Sequence, residues 1–231
     1  MNFEYIAALA VMCVLYACAI YLMKYLKNFR WINFVFVASV FVPYVCLCIT
    51  VYKDVGFYDW NFQNTLPVAN VSPFMFSIVP LMLILKGKAR ERLGLLISLL
   101  TVGMFFSTVL GCVYNASINY KFHWHFMLDY ISHFALSLFG VYLIKTGQVE
   151  VRIKECLKSA SIIFGVAGIM VILNLIFDTS FFGLSLTGKH NIYNNVLVDN
   201  SYLSALIYFA GLGIVLTLGY FYSRLFYKTK E

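Results

Sequence analysis

The sequence predicts an all-α membrane protein with seven transmembrane helices, its N-terminus outside and its C-terminus in the cytoplasm. Three observations support this prediction. The chain of 231 residues is 62% hydrophobic and only 12% charged, so it has too few charged side chains to cover a soluble domain. Seven apolar segments each approach the roughly 20 residues that cross the hydrocarbon core of a bilayer. Basic residues gather in alternate loops.

We expect these seven segments to form a single domain, since no repeat, low-complexity tract or linker interrupts the sequence. The first segment lacks the basic region that precedes a cleavable signal peptide, so we expect it to be retained as a span. The predicted spans cover about residues 4–26, 31–53, 66–86, 93–114, 124–145, 157–178 and 203–226.

The basic residues set the predicted orientation. All seventeen of them except Lys53, Lys121 and Lys189 lie in or beside the connections that follow odd-numbered spans, or behind the last span. Lys and Arg are enriched in cytoplasmic loops, so this side faces the cytoplasm. A six-span alternative, with residues 66–86 re-entrant, breaks the alternation. The same asymmetry explains the net charge of +7, and we expect no nucleic-acid partner. The sequence does not set the oligomeric state.

Prolines concentrate in the third predicted span, where Pro67, Pro73 and Pro80 follow one another closely. Each removes a backbone hydrogen bond and bends or interrupts a helix, and the freed carbonyls need other partners. We therefore expect a bent third span. It either helps to form a cavity or is kinked without further consequence.

The fifth predicted span carries the unusual chemistry of the chain. His125, Asp129 and His133 recur at four-residue intervals, which places them on one face of a helix. At 1.5 Å per residue, His133 lies roughly 14 Å below Trp124, near the membrane midplane. Ionisable residues at that depth are costly and are functional-site candidates. We interpret His133 as a general base that Asp129 orients. The alternative is that both side chains only bond across the bundle.

The same face of the helix carries residue types that can bind a metal ion. Two helical turns span about 12 Å, which is too far for one ion to be reached from both His125 and His133. We therefore expect neither a metal nor an organic cofactor. The six cysteines lie mostly within apolar runs and are expected to be free thiols.

A nucleophile has to come from another span at matching depth, and Ser72 beside Pro73 meets this condition. A serine next to a histidine base is the minimum for acyl transfer, although serines in membrane helices often serve packing alone. We expect an outward-opening pocket that the outer loop 179–202 folds over and closes. The predicted substrate contacts are Asn70, Asn174, His190, Asn191 and Asn194.

The order of three motifs resembles the YwaF-like bacterial integral membrane proteins. These are a Leu-Pro pair opening the third span, the histidine in ISHFALSLFGVYL, and an Asn- and Tyr-rich loop with glycine before the last span. That family is similar in turn to a eukaryotic transmembrane acyltransferase that remodels ether phospholipids. The resemblance implies a bacterial cytoplasmic membrane and lipid substrates, and of the site residues only His133 carries over directly. Ala69 and Val71 replace the family's histidine and cysteine.

Three functions remain open at this stage. The first is a lipid- or acyl-modifying enzyme, an acyltransferase or lipid hydrolase, with His133 as base, Asp129 as its partner and Ser72 as nucleophile. The second is a transporter or small-molecule binder in which Asp129 and His133 form a midplane site. The third is a non-catalytic accessory subunit or receptor, whose polar residues serve packing only.

Overall fold

The computed structural model describes residues 2–26, 30–57, 63–118, 121, 123–177, 179, 181–184 and 201–227. Within these ranges all regular structure is helical, and short 3₁₀ turns follow the first and seventh helices. The helices are α1 Phe3–Leu22, α2 Arg30–Val55, α3 Val71–Ile78, α4 Leu81–Ile84, α5 Gly87–Ser117, α6 Trp124–Lys145, α7 Ile153–Phe177 and α8 Ser201–Phe226.

Six of these helices, α1, α2, α5, α6, α7 and the Ala205–Phe226 part of α8, are long and apolar enough to cross a membrane. Together they indicate a multi-pass membrane protein, as the composition predicts. Helices α6 and α5 lie at the centre, with 78% and 61% of their most apolar windows buried, against 28% or less for the other four. The outer helices expose apolar side chains, a surface suited to lipid rather than water.

The third predicted span differs from a continuous helix. Residues 64–69 form turns, and the apolar stretch then divides into the short helices α3 and α4. Asn70 caps α3, and Pro73 occupies its first turn, where a missing N–H removes no intrahelical bond. Pro80 stands between α3 and α4, so the expected interruption lies there. The six long helices do not include this segment.

Hydrogen bonds define the two ends of the bundle. At one end, the Asn2 N–H donates to the Ala116 carbonyl and the Tyr5 hydroxyl donates to the Lys121 carbonyl. At the other end, the Lys145 ammonium donates to the Ile20 carbonyl and an Arg90 guanidinium N–H donates to Gln148. Basic side chains therefore make these contacts at the second end, which we call the basic end.

Two glycines allow the central helices to approach closely. A Cβ at Gly140 of α6 would overlap Thr101 Oγ1 of α5, and a Cβ at Gly219 of α8 would overlap the Leu99 carbonyl of α5. Small residues at such contacts let the backbones of membrane helices touch. Helix α5 is thereby held against both α6 and α8, and this packing fixes the depth of the residues that α6 carries.

Candidate functional site

His133 is hydrogen bonded to both of its predicted partner residues. Its Nε2 atom lies 2.9 Å from Ser72 Oγ, and its Nδ1 atom lies 2.9 Å from the backbone oxygen of Asp129. The Asp129 carboxylate is 3.4 Å from the same Nδ1. A carbonyl oxygen can only accept, so Nδ1 carries a proton in this arrangement. In the neutral imidazole, Nε2 is then an acceptor, and the Ser72 hydroxyl donates to it.

Local sequence explains how these side chains meet. Asp129 and His133 are one turn apart on α6, so the histidine ring reaches back to the preceding turn. Ser72 is the second residue of α3, directly after the cap that Asn70 forms by accepting the Val71 N–H at 3.0 Å. The cap and the following proline fix the start of α3. The serine therefore has a defined position against α6.

Apolar neighbours enclose the His133 ring, which is only 4% exposed. The Phe76 ring stands edge-on to it, with 4.9 Å between the ring centres. On the other side of the bond, Ser72 Oγ lies 3.7 Å from the Met104 sulfur. Protein atoms thus surround the imidazole, and a hydrogen bond in such a low-dielectric environment is electrostatically stronger than in water. The sequence did not single out Phe76 or Met104, since an aromatic and a thioether in an apolar run carry no distinguishing signal.

A first cavity of about 500 Å³ lies between α2, α3 and α6 and leads to the end opposite the basic end. Asp129 lines it, and Asp54 and His125 stand toward its mouth while Tyr44 and Phe76 lie deep within it. The Tyr44 hydroxyl donates to the Thr65 carbonyl at 3.0 Å. Both polar and apolar residues line this first cavity, and Pro73 forms part of its wall.

A second cavity of about 390 Å³ lies between the start of α3, the middle of α5 and α8. Ser72 and Asn70 line it, together with apolar residues of the two long helices. The two partners of His133 therefore face different cavities, with the imidazole between them. The sequence predicted one outward-opening pocket, whereas Asp129 and Ser72 line two separate cavities.

The other predicted contacts fall into three groups. Asn70 lies in the second cavity beside Ser72. Asn174 is only 1% exposed, and its amide bonds to Thr179 and to both backbone groups of Phe181. These bonds hold Thr179 and Phe181 against the end of α7, so a substrate contact at Asn174 would have to displace one of them. His190, Asn191 and Asn194 lie outside the described residues.

The described residues between α7 and α8 pack on the third segment. The Phe182 N–H donates to the Val68 carbonyl at 2.9 Å, and the buried Phe182 ring contacts Phe74 with 5.9 Å between ring centres. This is the arrangement predicted for a loop that folds onto the bundle. The rest of residues 179–202, up to the start of α8, lies outside the described ranges.

The remaining polar residues of α6 do not join the site. The Ser137 hydroxyl donates to the Thr101 carbonyl at 3.0 Å and accepts from the Tyr16 hydroxyl at 2.7 Å, so it links α6 to α1 and α5. His123 and His125 stack on each other, with 5.1 Å between ring centres, at the mouth of the first cavity. Among the residues that the structure describes, no three His, Cys, Asp or Glu side chains are grouped so that they could hold a metal ion.

Comparisons with protein-family models, with curated proteins and with solved structures each found no match to this chain.

Proposed function

We propose that this protein is an acyl-modifying membrane enzyme, an acyltransferase or lipid hydrolase that acts on membrane lipids. The observation that carries this proposal is the 2.9 Å hydrogen bond between His133 Nε2 and Ser72 Oγ in the interior of the bundle. A hydroxyl next to a base, with the base held by a third group, is the arrangement that activates a serine nucleophile. Asp129 supplies the third group.

The proposed reaction uses these groups in two half-reactions. Ser72 Oγ bonds to the carbonyl carbon of the acyl group while its proton passes to His133 Nε2. The bond to the leaving alcohol then breaks, and that oxygen takes the proton from Nε2. Water or an acceptor alcohol attacks the acyl-serine and gives its proton to Nε2, and Ser72 departs with this proton. Throughout, Asp129 keeps Nδ1 protonated and stabilises the imidazolium.

The start of α3 supplies donors for the oxyanion that forms on the acyl carbonyl. First-turn N–H groups of a helix lack intrahelical partners, and Ser72 contributes one of them. Asn70 uses its Oδ1 for the helix cap, so its Nδ2 is the atom that can donate to a substrate in the second cavity. Donors held in place before the reaction are the strongest source of transition-state stabilisation in acyl transfer.

The proposed topology has seven crossings, with the N-terminus outside and the C-terminus in the cytoplasm. The third crossing is the broken segment of turns, α3 and α4. Two contacts support it: Thr65 lies against Tyr44 within the outer half of α2, and Met82 accepts from Arg90 near the basic end. In this proposal the third segment crosses the membrane between α2 and α5. The positive-inside rule then places the basic end in the cytoplasm.

We also propose that the chain is YwaF-like and resides in a bacterial cytoplasmic membrane. His133 is the residue that matches the family motif directly, and it is the residue around which the site is built. Ser72 follows Val71, which stands where the family's cysteine is expected. In this proposal an oxygen nucleophile takes the place of a thiol, and the acyl intermediate is an ester.

Lipid turnover in reconstituted vesicles tests the proposed function. With a mixture of acyl-labelled phospholipids, wild-type protein should release or transfer the label. His133→Ala should reduce the rate by about 10²–10⁴-fold, the usual contribution of a general base. Ser137→Ala, a change to another buried polar residue of α6, is the control for packing damage. Turnover that survives His133→Ala would exclude this function.

A proton-coupled transporter is the second candidate. It is favoured by one observation, namely that Asp129 lines the first cavity and Ser72 the second while His133 bridges them. These three side chains can pass a proton from one cavity to the other. Flux of a labelled solute that follows an imposed pH gradient, and stops in His133→Ala, would favour transport. Acyl turnover without such flux favours the enzyme.

A further inference from the structure

The second cavity has a polar side and an apolar side. Ser72 and Asn70 lie at the α3 side, and this side contains the proposed nucleophile. The opposite walls come from α5 and α8 and are almost wholly apolar. They are formed by Leu100, Gly103, Met104, Ile207, Gly211, Leu212 and Val215, with Tyr208 and Ser107 as the polar members.

The cavity also has a buried floor and an exposed rim. Leu100, Met104 and Leu212 are buried, whereas Ser107 and Ile207 are exposed on the outer surface of the bundle. Both rim residues belong to helices apolar enough to cross a membrane, so this surface faces lipid. A lipid can therefore enter sideways between α5 and α8. The volume of about 390 Å³ is within the roughly 300–1,000 Å³ of small-molecule sites.

We propose that this cavity holds the hydrocarbon chain of the acyl substrate, with its carbonyl at Ser72, and that Gly211 determines the chain length it accepts. The inference rests on the proposed function and names the place and the selectivity of substrate binding. An apolar cavity with a nucleophile at one side fits an acyl group, which has a reactive carbonyl at one end and a long hydrocarbon chain. Among the described residues that line the cavity, none is basic or acidic, so a charged headgroup remains outside it.

Gly211 is singled out by the space next to it. A Cβ built there meets no other atom within 4 Å, although the residue lines the cavity. The first atom of a side chain at this position of the cavity wall therefore has room. Gly103 lines the same cavity but differs, since its Cβ would lie 2.6 Å from Val215 Cγ1. Gly103 serves the packing of α5 against α8, and Gly211 leaves room for a ligand.

A chain-length profile tests the role of Gly211. The variants Gly211→Ala and Gly211→Leu should progressively shift turnover toward shorter acyl chains, and Gly211→Leu should lower kcat/KM for the longest chains by tenfold or more. Turnover of the shortest chains should be retained. Gly165→Leu on α7 is the matched control, because a Cβ there also meets nothing within 4 Å and the residue lines neither cavity. An unchanged length profile in Gly211→Leu, or the same shift in Gly165→Leu, would overturn the inference.

A cross-linking experiment separates this inference from the proposed reaction. Ser72→Ala protein in vesicles is irradiated with a fatty acyl phospholipid that carries a diazirine near the chain end, and the labelled peptides are identified. We expect labels within Leu100–Ser107 and Ile207–Val215, and less label there in Ser72→Ala combined with Gly211→Leu. Labels spread evenly over the outer helices would mean an annular lipid only and would overturn the inference. Labels confined to the cavity in a protein whose turnover survives Ser72→Ala would uphold the cavity and reject the proposed nucleophile.

Discussion

Ser72 and His133 are 61 residues apart in the chain, yet Ser72 Oγ lies 2.9 Å from His133 Nε2. The contact joins the first turn of a short capped helix to the middle of the most buried long helix. Because the other imidazole nitrogen is occupied by the Asp129 carbonyl at 2.9 Å, the ring presents its acceptor to the serine. The three residues thus have the mutual orientation that a serine nucleophile requires.

The Asp129 carboxylate should contribute less to lipid turnover than the His133 imidazole. Its Oδ1 is 3.4 Å from Nδ1, and its side chain is 34% exposed, so solvent screens the charge. In Asp129→Asn the backbone carbonyl still holds Nδ1, and we expect kcat/KM for lipid turnover to fall by about tenfold. Asp54→Asn, a carboxylate change in the same cavity, is the control and should have little effect. A loss in Asp129→Asn as large as that of His133→Ala would contradict this ranking.

Asn174 should stabilise the fold rather than bind substrate. Its amide makes three hydrogen bonds to Thr179 and Phe181, at 2.7–2.9 Å. Asn174→Ala leaves those groups without their partner, and we expect a loss of about 1–3 kcal/mol in unfolding free energy. Thermal unfolding in detergent and the KM for lipid measure the two roles separately. A raised KM with unchanged stability would restore the substrate contact that the sequence predicted.

The contact between α5 and α8 should tolerate no side chain at Gly219. A Cβ there would overlap the Leu99 carbonyl, and overpacking of this kind costs about 1–3 kcal/mol. Gly168→Ala on α7 is the control, because its Cβ meets nothing within 4 Å and alanine favours a helix by about 1 kcal/mol over glycine. The midpoint of thermal unfolding should fall for Gly219→Ala and not for Gly168→Ala. Equal midpoints would show that the helices separate without penalty.

The seven-crossing topology predicts which side of the membrane each end of the third segment reaches. In a background with the six cysteines replaced by alanine, Val55→Cys should react with an impermeant maleimide added to intact cells. Lys88→Cys should react only after the membrane is opened. Labelling of both positions from outside would instead support a re-entrant third segment and six crossings.

Much of the candidate site could be predicted from the sequence. The position of a side chain on a membrane helix depends mainly on its depth in the membrane and on the face of the helix that carries it. The four-residue interval between Asp129 and His133 places them on one face, and Ser72 lies at matching depth, beside a proline that limits how its helix can start. Depth alone does not set the rotation of each helix about its axis. The division of Asp129 and Ser72 between two cavities depends on that rotation, and the packing at Gly140 and Gly219 determines it.

The boundaries of the helices show a related limit. The fourth predicted span begins at residue 93, whereas α5 begins at Gly87 and carries charged residues in its first turns. Hydropathy marks the part of a helix that lies in lipid, and α5 continues beyond it. Hydropathy also does not show that the third segment is broken, because an apolar run with three prolines can have the length of a span without a continuous hydrogen-bond ladder. Composition predicts that the chain lies in a membrane, whereas backbone hydrogen bonding determines where each helix begins and ends.

Labelling with a fluorophosphonate, which reacts with activated serines, tests the Ser72–His133 pair most directly. Wild-type protein in vesicles should be labelled at Ser72, and both Ser72→Ala and His133→Ala should abolish the label. Ser77→Ala should not, since Ser77 lies on the same helix but its hydroxyl donates to the Phe74 carbonyl, at 2.7 Å, rather than to His133. Label that persists at another residue in Ser72→Ala, or wild-type protein that remains unlabelled while it turns over lipid, would contradict a serine nucleophile at this position.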